Sequence, residues 1–105
     1  MNITKKRGTA RKLQNVIVRT YSAGCFWGDL VWRKGKEVEM RKARRLWFWD
    51  GAATLSQLAQ SGTTKPEGCK WPEAVDSIIL TEAIEIISVT PAARRSLQKV
   101  PIWKS

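Results

Sequence analysis

Residues 16–40, VIVRTYSAGCFWGDLVWRKGKEVEM, decide how this chain folds. Val16, Val18 and Thr20 alternate with Ile17, Arg19 and Tyr21, and β-branched residues dominate, which is the two-residue period of a strand. Ser22-Ala23-Gly24 supplies a turn, with Gly24 able to take a positive φ. Alternation resumes over residues 26–33, and it predicts Phe26, Leu30 and Trp32 on one face with Trp27, Asp29 and Val31 on the other. Lys34-Gly35 then reads as a hairpin loop and residues 36–40 as the returning strand.

Downstream, residues 43–50, ARRLWFWD, read as a further strand, because an aromatic run favours a pleated surface over a helix. That strand would send Arg45, Trp47 and Trp49 to one side and Arg44, Leu46 and Phe48 to the other. Asp50 is the expected N-cap of a helix through Gln60, with Leu55, Leu58 and Ala59 as its apolar stripe and Gly62 as its terminator. Residues 62–73 form a loop punctuated by Pro66, Gly68 and Pro72, in which Trp71 sits beside Lys70. Two more strand-like runs follow at 75–80 and 83–89. Thr90 then caps a short helix with Pro91 at its first position, and residues 100–103 close the chain. The predicted fold is α+β, an antiparallel β-sheet of five to six strands with two short helices. It occupies one domain over residues 14–105. Ahead of it, residues 1–13 carry Lys5, Lys6, Arg7, Arg11 and Lys12 without an acid, the composition of a flexible basic arm.

A length of 105 residues allows one core and little more. With 43% hydrophobic residues and 27% charged ones, the chain has enough apolar surface to fold. Its formal charge of +10 is clustered, which points to attraction for phosphate, nucleic acid or an acidic protein. No apolar run reaches the length of a membrane span, and no apolar stretch follows the basic N-terminus as in a secretory signal. Cys25 and Cys69 are the only cysteines, and two lone thiols fit reduced, buried side chains in a cytoplasm.

The sequence holds no histidine, which removes the commonest general base and transition-metal ligand together. Two isolated cysteines make no zinc site, and the scattered glycines make no phosphate loop. Glu37 with Glu39, and Glu82 with Glu85, lie among lysines and arginines and read as surface ion pairs rather than an acid–base couple. The expectation is a protein that is not an enzyme and carries neither a cofactor nor a metal.

What remains is binding chemistry. Arg44-Arg45-Leu46-Trp47-Phe48-Trp49 joins guanidinium forks to indole faces. A charge-assisted phosphate contact contributes about 1.5–3 kcal/mol and a stacked base about 1–3 kcal/mol. Arg45, Trp47, Trp49, Lys70 and Trp71 are therefore the candidate ligand-binding residues, with Arg19 and Arg94 as supporting charges. Each has a plainer use: an aromatic in the core or an oligomer interface, Trp71 pinning its loop, and Arg94, Arg95 and Lys99 forming a solvated helix face.

Taken as a set, several stretches resemble a family of small bacteriophage proteins. These are Arg19-Thr20-Tyr21-Ser22-Ala23-Gly24, Gly35-Lys36-Glu37-Val38, Ala43-Arg44-Arg45 running into Trp47–Trp49, residues 51–59 (GAATLSQLA) and residues 80–86 (LTEAIEI). That family, of largely unknown function, is similar to the phage anti-Thoeris sponge proteins, which hold cyclic ADP-ribose-type signals, and in some cases cyclic oligonucleotides, without degrading them. The resemblance implies a homo-oligomer that sequesters an anionic nucleotide immune signal in the cytoplasm of an infected bacterium. No ligand-contacting residue carries over by alignment. A basic nucleic-acid-binding protein and a protein inhibitor of a host defence enzyme are the alternatives.

Overall fold

The computed structural model of this chain describes residues 13–104. The expected basic arm therefore lies, apart from Leu13, outside the described residues. Five strands form one antiparallel sheet: β1 (Gln14–Thr20), β2 (Cys25–Lys34), β3 (Glu37–Arg45), β4 (Val75–Leu80) and β5 (Ala83–Ser88). Two helices, α1 (Leu55–Ser61) and α2 (Pro91–Leu97), complete the α+β fold. No helix among the described residues is long and apolar enough to cross a membrane.

Strand order in the sheet is β4-β3-β2-β1-β5, so consecutive β4 and β5 occupy opposite edges. Four inter-strand steps of about 4.8 Å would separate those edges by about 19 Å in a flat sheet. Thr81 and Glu82 alone join them, and three peptide steps reach about 10 Å. The sheet must therefore curl until its edges approach at this end. One backbone bond crosses the curl, Ala83 N to Lys36 O at 3.0 Å, and Tyr21 N to Glu82 O at 2.9 Å extends the β1–β5 pairing up to the link.

Curling gives the sheet two buried faces. Val16, Val18, Phe26, Val38, Met40, Ala43 and Leu80 fill the inside of the curl. Ile17, Trp27, Leu46 and Trp71 pack on the other face against Leu58 and Ala59 of α1 and Leu97 of α2. The alternation of β1 is thus apolar on both sides because both sides are covered.

Three expectations are corrected. Residues 36–40 and 43–45 are one strand, β3, and the aromatic run 46–49 leaves the sheet. Its partner β2 begins only at Cys25, which accepts from Leu46 N at 2.8 Å, so nothing remains to pair with Trp47. Trp32 does not share a face with Phe26 and Leu30: the register slips between Leu30 and Trp32, placing Trp32 opposite Glu39. Finally, α1 is capped by Thr54, whose hydroxyl accepts from Gln57 N at 3.1 Å, and not by Asp50. Asp50 is held earlier. Its carbonyl accepts from Thr63 Oγ1, and its carboxylate accepts from Gly51 N. Gly62 ends the helix at φ 81°, as expected.

Candidate anion-binding groove

Beside α2 the strands β1–β3 and the loop before β4 border a half-open cavity of about 240 Å³. Lys42, Arg44 and Arg94 bring positive charge to its lining; Asn15, Trp27, Asp29 and Gln98 supply the rest of its chemistry. A second hollow of about 420 Å³ adjoins it through Asn15, Arg94 and Gln98, and adds Arg95. Together they make one groove along α2.

Arg44 is the least ordinary group in it. The residue is 8% exposed, and among the described residues the hydrogen-bond acceptors of its guanidinium are all backbone carbonyls. Nε donates to Pro72 O at 3.1 Å, Nη1 to Val100 O at 2.9 Å, and Nη2 to Trp71 O at 2.7 Å and Pro101 O at 3.0 Å. A guanidinium has five N–H groups, so one remains uncommitted. The ion pair found among the described residues is Arg19–Glu85, so no described carboxylate neutralises Arg44. Burial pushes its pKa down.

Lys42 reaches the groove through a bulge. Trp27 faces Arg44 while Asp29 faces Arg41, so three steps of β3 span two of β2. Lys42 takes φ 53°, the one positive φ outside glycine among the described residues. Opposite it, a Cβ on Gly28 would stand 2.9 Å from both Ala43 Cα and Arg41 O, so the strands approach here only because that residue is glycine. The bulge also flips parity, sending Arg44 to the helix side of the sheet and Arg45 to the inside of the curl. Strained backbone beside a cavity is a recurrent mark of function. Lys42→Gly should relieve the strain and hold or raise the melting temperature, and, if the groove takes an anion, should weaken its binding about two- to fivefold. Thermal denaturation with and without ligand measures both; a variant that loses stability and keeps its affinity would make Lys42 a structural residue.

Among the described residues, Asp29 is the one carboxylate lining this cavity. Its Oδ1 accepts from Asn15 Nδ2 at 3.0 Å, and Asn15 Oδ1 in turn accepts from Trp27 Nε1 at 2.7 Å. That chain fixes Asn15 and Asp29 against β2.

The residues expected to bind ligand do not assemble at one place. Arg94 alone lines the groove. Trp71 is 0% exposed and belongs to the core, stacked obliquely 6.0 Å from Trp27, so it is no pocket wall. Trp49 is half-buried and packs on the same core. Arg45 lies 4.5 Å over the Phe26 ring and donates to Ala23 O at 2.6 Å, and it shares a separate hollow of about 280 Å³ with the exposed Trp47. Lys70 stands between Phe48 and Trp103. Arg19 is paired with Glu85 across β1 and β5 at 2.8 Å, which raises its pKa through that hydrogen bond. Cys25 and Cys69 are both free thiols; burial raises the pKa of Cys25, which makes it a poor nucleophile.

Sequence reasoning passed over Lys42, Arg44 and Arg95 as groove residues. The available signal was Gly28 within an otherwise regular strand, the usual trace of a bulge or close approach. Neither a curated protein nor a solved structure matches the chain. Residues 13–97 match DUF6948, a domain of unknown function, and the chain belongs to that family.

Proposed function

We propose that this protein binds, and does not turn over, a small phosphate-bearing ligand of the nucleotide class in the groove along α2. One observation carries the reading: Arg44 is a buried cation that has no carboxylate partner among the described residues, on a lining shared with Lys42 and Arg94. A charge kept out of water is unfavourable unless something compensates it, and carbonyl dipoles do so only in part. A phosphate in the groove would complete the compensation, with Arg94 and Arg95 gripping it from the helix. Trp27 offers an apolar wall, and Asn15 and Gln98 offer amides for a polar ligand. Sequestration of a cyclic nucleotide signal by a homo-oligomer in an infected bacterial cytoplasm is the biological setting that the likeness to phage sponge proteins favours.

Isothermal titration against cyclic ADP-ribose isomers, cyclic oligonucleotides and inorganic pyrophosphate tests the proposal. Heat is expected with at least one nucleotide, with the ligand recovered unchanged. Arg94→Ala combined with Arg95→Ala should weaken that binding tenfold or more, on the basis of about 1.5–3 kcal/mol for each charge-assisted contact. Absence of heat with every ligand, from folded protein, overturns the reading.

A further inference from the structure

Phe48, Lys70 and Trp103 meet on a surface that contributes nothing to the groove. The backbone builds them a platform of three short segments. Phe48 lies antiparallel to Lys70, and Ile102 lies parallel to Trp71. Lys70 N donates to Phe48 O at 2.7 Å, and Trp103 N donates to Trp71 O at 2.9 Å. Trp71 is fully buried and anchors the middle segment in the core. The Lys70 ammonium stands 5.9 Å from the centroid of each ring, Phe48 on one hand and Trp103 on the other. Both rings remain open, 50% and 46% exposed.

Two large rings kept in water on a rigid backbone, with a cation between them, are an unusual use of surface. An exposed cation–π contact is too weak to account for holding them there. A protein partner is the other common use of exposed aromatics, but the centres of protein interfaces are depleted in lysine. Single-stranded nucleic acid needs this combination, since bases stack on aromatic faces while the intervening phosphate requires a cation. The chain's net charge of +10 matches such a polyanion.

We propose that the Phe48–Lys70–Trp103 platform binds single-stranded nucleic acid, with neighbouring bases stacked on the two rings and the phosphate between them on Lys70. This site is independent of the groove along α2. The test is fluorescence anisotropy of a short labelled oligothymidine with the full-length chain over a range of salt. Phe48→Ala and Trp103→Ala should each weaken binding about fivefold or more, without changing the salt slope. Lys70→Gln should lower that slope by about 0.7, the contribution of one phosphate contact in a single strand. Arg94→Ala, and pyrophosphate added at matched ionic strength, should leave oligothymidine binding intact, whatever they do in the groove. All three platform side chains are exposed, and circular dichroism confirms that the variants fold. Native affinity retained by both aromatic variants overturns the proposal, as does a native protein that fails to bind oligothymidine at low salt.

Discussion

Trp71→Ala should lower the unfolding free energy by about 3–5 kcal/mol, the range for deleting a fully buried large aromatic. The loss has several sources in this fold. Trp71 is 0% exposed at the junction of the sheet, α1 and α2, where it packs with Trp27, Leu46, Leu58 and Leu97. Its ring also lies 5.5 Å from the Arg44 guanidinium. Removing it opens a cavity that helices held by several contacts cannot fully close. Trp71→Phe should cost well under half as much, since its ring still fills most of the volume. The indole Nε1 has no hydrogen-bond partner among the described residues, and an unsatisfied buried donor costs about 1–3 kcal/mol. Phenylalanine removes that donor. Urea denaturation of both variants measures the difference. A Trp71→Ala protein of native stability but impaired ligand binding would return Trp71 to a pocket wall and refute the packing account.

The position of Trp71 shows where the sequence stops being informative. Proline and glycine around it marked a loop correctly, yet its burial depends on α1, α2 and the chain end converging from residues far apart. The strands were legible because β1 and the start of β2 alternate cleanly, and Gly24 and Gly35 sit at turns with φ 94° and φ 60°. Alternation counts residues, however, and a bulge adds one. Past the slip near Val31, each side chain of β2 changes face, which is why Trp32 lies opposite Glu39. The slip at Lys42 acts likewise on β3 and decides which of two adjacent arginines is buried. Local composition announced guanidinium chemistry next to indoles; it could not choose Arg44 over Arg45. The aromatic run 46–49 reads as a strand by propensity but leaves β2 behind, and its pairing among the described residues is the single bridge from Phe48 to Lys70, so β3 ends at Arg45. For the helix start, Asp50 and Thr54 are both competent caps. Gly51 adopts φ 82°, outside the helical region, and a Cβ there would collide with Thr63 and Lys65, so the helix starts only after Thr54.

Arg44→Ala should likewise cost about 3–5 kcal/mol, and it should abolish the stabilisation that ligand confers. The guanidinium ties two segments to β3: the loop through Trp71 O and Pro72 O, and the chain end through Val100 O and Pro101 O. Truncation leaves those carbonyls without the donor and opens a cavity beside Trp71. Each hydrogen bond to a charged group contributes about 1.5–3 kcal/mol, and relief of the cation's desolvation cost offsets part of the loss of four. Arg44→Lys should restore less than half, because one ammonium cannot reproduce a planar fork that reaches both segments. Arg44→Met should also fall between alanine and the native residue, since it refills the volume without bonding any carbonyl. The contribution should be flat across ordinary pH. Burial lowers the pKa of Arg44, but arginine in a protein stays charged throughout the working range. A cation that never neutralises cannot escape its desolvation cost by losing a proton, so what the four carbonyls leave uncompensated is what the proposed anion would relieve. Ligand at a hundred times its dissociation constant should therefore add about 2.7 kcal/mol to the native protein. It should add almost nothing to Arg44→Met, in which the groove keeps its walls and loses its buried charge. Equal ligand stabilisation of the two proteins would mean that Arg44 only clamps the chain end, and that Arg94 and its neighbours bind without it.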